Sequence, residues 1–215
     1  GFCYVLVVGC AIMAPKSIVT YIASEAYFKD FLSYKPYFIT LKWLLFFANL
    51  ALVGVVCTFY SLRRKKSQGI MAWSSCMALI GLGTGMYQSI QDVSIIPRLA
   101  DQYYQTTEFI QSVIITMGIA NPALFILSMG LPGIWFIVVS ILAWNNPIIP
   151  KKLIILGLFW GIGNLITVVA HVLYIIPLIY LVAYGALVAA PLWSILEGLY
   201  LLKLAKNPPD YLTHH

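Results

Sequence analysis

From Leu153 to Leu202 the chain runs fifty residues whose only acidic or basic side chains are His171 and Glu197. A membrane-spanning helix needs ~20 mainly apolar residues. The run is too long for one crossing and right for two, with a tight turn near Pro177. The rest of the chain has the same character: 61% of its 215 residues are hydrophobic, 9% are charged, and the mean hydropathy is +0.91. Soluble domains carry roughly 25% charged residues. A globule of this size still exposes much of its chain, so water could not hide this apolar surface. Lipid is the solvent. Spanning β-strands would alternate apolar and polar residues, whereas these runs are unbroken, which makes them helices.

Six spans are expected, at about 2–22, 37–62, 69–90, 121–144, 153–175 and 177–202, within one integral membrane domain covering 1–215. The first is expected to bend near Pro15 and the last near Pro191. The fourth holds a break at Met-Gly-Leu-Pro-Gly-Ile-Trp (129–135). The stretch 91–120 reads as a long connection. In its second half Tyr103, Phe109, Ile110, Val113, Ile114 and Met117 share roughly one helical side, the pattern of a helix lying in the interface. The fold class is therefore all-α: a polytopic bundle of six transmembrane helices with an amphipathic interfacial segment between helices 3 and 4.

The charges fix an expected orientation. Thirteen Lys and Arg face seven Asp and Glu, clustered where apolar runs end. With both termini cytoplasmic, Arg63, Arg64, Lys65, Lys66, Lys151, Lys152, Lys203 and Lys206 fall inside. Five of the seven acids, Glu25, Asp30, Asp92, Asp101 and Glu108, fall outside. That is a positive-inside distribution. A seventh crossing at 109–128 would separate Lys151 and Lys152 from Arg63–Lys66, against the same rule. Trp43 near one rim, and Trp73 and Trp144 near the other, fit an aromatic belt. The expected location is a bacterial inner (plasma) membrane.

Cys3, Cys10, Cys57 and Cys76 have no Cys-x-x-Cys spacing and read as small buried hydrophobes. Val-Val-Gly-Cys at 7–10 resembles a lipoprotein cleavage signal, but residues precede Cys10, so cleavage there is not expected. His214 and His215 stand apart from any metal argument. No HExxH, GxSxG or Walker loop appears, nor a pair of intramembrane histidines for haem.

A rise of ~1.5 Å per residue places polar side chains by depth. Asn49 and Asn164 fall near the bilayer middle, where they can meet across helices. Glu197 lies near the inner surface, where it would snorkel or pair with a basic residue; the functional reading is a proton or ion site. His171 lies in the opposite leaflet, so the two cannot form a dyad. Lys42, Gln88, Asp92, Asn121 and His171 share one outer depth, and inward-facing helices would gather them into a polar vestibule under 91–120. Asp92 or Lys42 would then tune His171.

Small residues recur at four-residue spacing in Gly81 and Gly85, Gly157 and Gly161, and Ala186 and Ala190, which lets helices approach closely, within the chain or to a partner. The expected function is a non-catalytic accessory or structural subunit, packed against partner helices in a larger assembly. The alternative is a small-molecule carrier or substrate-binding subunit using the vestibule. An intramembrane enzyme would need a second reactive group beside His171 or Glu197. No cofactor or metal is expected. The expected partners are membrane lipids and membrane-protein subunits or further copies of the chain, not nucleic acid.

Overall fold

The computed structural model describes residues 2–14, 27–28, 31–63, 68–118, 122–145 and 149–206. The described residues form seven helices and no strand: α1 (Phe2–Met13), α2 (Phe31–Arg63), α3 (Gln68–Tyr103), α4 (Glu108–Gly118), α5 (Pro122–Ala143), α6 (Lys151–Val172) and α7 (Ile176–Lys206). Five of them, α2, α3, α5, α6 and α7, are long and apolar enough to cross a membrane. In lipid a helix satisfies all its backbone polar groups internally, which is why no other element appears in these apolar stretches. The protein is an all-α integral membrane protein.

The principal neighbours run in chain order, α1 with α2, α2 with α3, α3 with α5, α5 with α6 and α6 with α7. The ring closes where α7 meets α1. α4 stays outside the ring and packs on α3. At 11 residues it is ~16 Å long, too short to cross. Phe109, Ile110 and Val113 point away from the protein, while Ile114 is buried. The basic end of the bundle is where α2 stops at Arg63 and α6 starts at Lys151. The distal end holds Asp101 and Glu108.

Several boundaries differ from the sequence expectation. α3 does not stop at residue 90; it continues through Pro97 to Tyr103, so 91–103 is helix and not a lid. Its 36 residues span ~54 Å, well beyond the ~30 Å of hydrocarbon. The added turns are held by an aromatic cluster of Tyr27, Phe28, Phe31, Phe38 and Tyr103 around Ile96 and Ala100. α2 likewise begins at Phe31, six residues before the expected 37. The expected break in the fourth span is absent, because α5 runs on through Pro132. α7 is likewise one helix through Pro191. Neighbouring helices make such prolines tolerable inside spans. Pro15 lies outside the described residues. Cys57 and Cys76 are exposed and Cys3 and Cys10 half-buried, so the cysteines are free but not core residues. Trp43, Trp73 and Trp144 stay on the outer surface.

The α6–α7 hairpin shows how sequence sets a turn. Ile175 N–H donates to the Ala170 carbonyl at 2.8 Å and Tyr174 N–H to the His171 carbonyl at 3.3 Å. This paired closure is the Schellman pattern that satisfies the last carbonyls of a helix. It needs a left-handed residue, and Tyr174 supplies it with φ 53°. Pro177 is the second residue of α7, in its first turn, where its missing N–H costs nothing.

Close helix contact runs through glycine. A Cβ on Gly161 would lie 2.8 Å from the Gly133 carbonyl oxygen and 3.0 Å from the Ile137 nitrogen, so α5 and α6 touch backbone to backbone. A Cβ on Gly157 would meet Ser140 Oγ at 2.8 Å, and one on Gly81 the Leu127 carbonyl oxygen at 2.9 Å. Gly163 has open space around it. Gly161→Ala should therefore force the backbones apart and destabilise the bundle by about 1–3 kcal/mol, the usual cost of overpacking. Gly163→Ala should be neutral or slightly stabilising. Unfolding of both variants in detergent, against the parent chain, checks this; equal stability would show that the α5–α6 approach is looser than described.

Candidate functional site

A cavity of about 230 Å³ occupies the centre of the helix ring, and all six ring helices contribute to its wall. Its lining on α6 is Trp160, Asn164, Thr167 and His171, spaced by four, three and four residues. That is one face of a 3.6-residue helix. α3 contributes Leu82, Gly85, Gln88 and Ser89, and α2 contributes Lys42, Leu45 and Asn49, at the same kind of spacing. The helical period thus turns scattered polar residues into three inward stripes.

The floor, toward the basic end, is aromatic. Phe136 stacks on Trp160 at 4.5 Å between ring centroids, and Tyr4 meets Trp160 edge-on at 5.6 Å. Trp193 backs this floor, edge-on to Phe136 at 4.9 Å. Such offset and T-shaped pairs add about 0.5–1.5 kcal/mol each beyond their buried area.

Above the floor lie amides. Asn49 sits against α3 where Gly85 leaves room: a Cβ there would come within 2.8 Å of Asn49 Nδ2. Asn164 is buried against α5 at Gly133, whose Cβ would lie 3.0 Å from that of Asn164. Both asparagines line the cavity. Among the described residues no hydrogen bond joins them, so the expected contact between Asn49 and Asn164 is replaced by a shared space. Gln88 Oε1 lies 3.4 Å from Ser128 Oγ, which also donates to the Phe125 carbonyl at 3.0 Å.

Toward the distal end, Lys42 Nζ meets Asp92 Oδ2 at 2.6 Å, with 2% and 11% of the two side chains exposed. The pair crosses from α2 to α3. Lys42 also lies 5.2 Å from the Phe38 ring centroid, a cation–π distance. Phe38 packs on Phe31 at 5.1 Å and Phe31 on Tyr27 at 6.1 Å, continuing the aromatic layer away from the pair. Burial first, and then the charge of Asp92, push the Tyr27 phenol above its usual range.

His171 lines the same cavity from α6. Its Nδ1 lies 2.9 Å from the Thr167 carbonyl of its own helix, and its ring sits 4.3 Å from that of Phe125. A carbonyl accepts, so Nδ1 carries the proton. Asn121 lies outside the described residues. Of the expected vestibule residues, Lys42, Gln88 and His171 share the cavity wall, and Asp92 holds Lys42.

Glu197 corrects another expectation. It does not snorkel: it is 1% exposed, and among the described residues neither carboxyl oxygen has a hydrogen-bond partner. Ser194 Oγ, one turn earlier, is likewise buried without one. Glu197 lies near the basic end, more than about 20 Å along the helix axes from His171, counting residues from the hairpin. Gly81, Gly85, Gly157 and Gly161 all face neighbours within the chain. Ala186 lines the cavity and Ala190 is in the core. Among the described residues no group of three or more His, Cys, Asp or Glu side chains converges on a metal-sized space.

Residues 1–204 match the family described as Domain of unknown function (DUF4386). The chain belongs to that family. No curated protein and no solved structure matches it.

Sequence reasoning missed Tyr4, Phe136 and Trp160, because apolar rings in a span resemble any lipid-facing residue. The signal for Trp160 was its place one turn below Asn164 on the polar stripe.

The buried pair gives a direct test. Removing one partner of such a pair strands the other charge and costs about 3–5 kcal/mol, whereas apolar replacement of both is near neutral. Asp92→Asn should therefore lower unfolding stability strongly, and Lys42→Met with Asp92→Leu should recover most of it. A double-mutant cycle by denaturant or heat reads the coupling; additive effects would show that the two do not act as a pair.

Proposed function

We propose that the protein is a small-molecule carrier or substrate-binding membrane protein whose site is the cavity inside the helix ring. The supporting observation is the wall itself. Asn49, Gln88, Asn164 and His171 are brought from three helices to one space, where helix packing alone would favour apolar side chains. Polar groups inside a membrane protein are costly and mark ligand or substrate paths. Few convergent polar groups in a mainly apolar pocket are the ordinary composition of a ligand site.

The orientation that goes with this reading puts the basic end in the cytoplasm. α2 stops at Arg63, α6 starts at Lys151 and Lys152, and α7 ends with Lys203 and Lys206 in its last turn. Asp101 and Glu108 lie at the other end. We place the protein in a bacterial inner membrane, with the cavity nearer the outside face and both termini cytoplasmic.

The second reading is an accessory subunit held to partner helices or to further copies of itself. Its support is the glycines that no neighbour covers, among them Gly163, Gly185 and Gly198. The stripes of Gly81, Gly85, Gly157 and Gly161 are already used inside the chain, which gives this reading less surface.

Gentle extraction followed by native mass spectrometry separates the two. The carrier reading expects a chain without stoichiometric protein partners that retains a small molecule, released by a cavity-filling Ala186→Leu change. Stoichiometric partner proteins, with no small molecule retained, would reverse the order of the two readings.

A further inference from the structure

We infer that the cavity takes an uncharged amphiphile: a short apolar body seated on the aromatic floor and a hydrogen-bonding head held by the asparagine amides. This rests on the carrier reading and names its class of ligand.

The exclusion of charge comes from the ion pair. Lys42 is the one ammonium on the cavity wall among the described residues, and Asp92 neutralises it at 2.6 Å. An anionic ligand would have to displace Asp92 and leave a buried carboxylate behind. A cationic ligand would compete with Lys42 for the same oxygen. Each exchange leaves one charge unpaired in a medium where that is heavily penalised. On His171, the Nδ1 proton is directed to the Thr167 carbonyl, so that nitrogen is not open to a ligand.

The head group follows from the amides. Asn49 and Asn164 make no side-chain hydrogen bond among the described residues, yet both line the cavity. Asn164 is 7% exposed. Each amide has a carbonyl acceptor and two N–H donors. A buried amide left without partners is unfavourable, and a head that both donates and accepts, such as a carboxamide or an alcohol, completes it. The body follows from Tyr4, Phe136 and Trp160 below the amides. The volume, about 230 Å³, fits a short single chain or one ring and excludes a two-chain lipid.

Three probes of equal length differ only in the head: 8-bromooctanamide, 8-bromooctanoate and 8-bromooctylammonium. Bromine quenches tryptophan fluorescence on contact, and Trp160 lines the floor while Trp43, Trp73 and Trp144 face outward. The probes are titrated into the intact protein in lipid nanodiscs, and the Trp160 signal is taken as the difference from Trp160→Phe. The amide should quench that signal saturably, with at least tenfold lower half-saturation than either charged probe. Asn164→Leu should remove the saturation. Ala186→Leu, which fills the space from α7 without touching the amides, should do the same and guards against a folding defect at Asn164. Saturable quenching of Trp160 by a charged probe at equal or lower concentration would overturn the ligand class and leave the carrier reading standing. No saturable component from any probe would overturn both.

Discussion

Nothing in a bilayer drives apolar helices together in the way that water does, because lipid tails solvate leucine as well as another helix would. Association must come from close packing and from polar contacts. In this bundle both converge on the faces of α5. Gly161 and Gly133 bring its backbone against α6, and Gly81 admits α3 on another side. α5 is thus the element against which two neighbours set their distance. The cavity is what remains where the same helices diverge, beside Gly85 and Asn49 on one wall and Asn164 on another.

The two ends of the cavity follow different physics. Toward the basic end, rings from α1, α5, α6 and α7 interlock into a mainly apolar floor. Toward the distal end, charge is present but matched: the ammonium of Lys42 and the carboxylate of Asp92 lie across the α2–α3 contact, with the Phe38 ring beside the ammonium. A second pair between the same helices, Lys35 with Asp101 at 3.2 Å, is open to solvent and is worth little by comparison. The two pairs join the same helices at two levels, one buried and one open to solvent.

How much of this was legible in the sequence depends on the kind of signal. The helical class rests on long apolar runs, which admit few other solutions; of the six expected spans, five are described as helices long enough to cross, and the first is described only over Phe2–Met13. The polar stripe 160, 164, 167 and 171 was readable in principle from its spacing, and His171 and Asn164 were readable as polar residues in a span. Which residues would face each other was not. Lys42 and Asp92 are fifty residues apart, and their shared depth did not show that they would pair directly. The ends of helices were poorly legible too. Pro97 and the polar residues around it look like a connection, yet contacts with Phe28, Phe38 and Ile114 hold that segment helical. Glu197 was misjudged because distance to the interface was read along one helix, whereas its burial depends on the helices around it.

The ring order has a consequence for how the chain assembles. Each ring helix meets the ring helix made before it, so five of the six contacts in the ring can form as synthesis proceeds. The sixth, between α1 and α7, joins segments more than 150 residues apart. Such remote contacts are slow to find. Until α7 arrives, Tyr4 and Trp160 face an incomplete wall and the central space is a groove open to lipid. The cavity is therefore the last feature of the molecule to come into being, and a bundle arrested one helix short would carry its polar stripes exposed to the membrane.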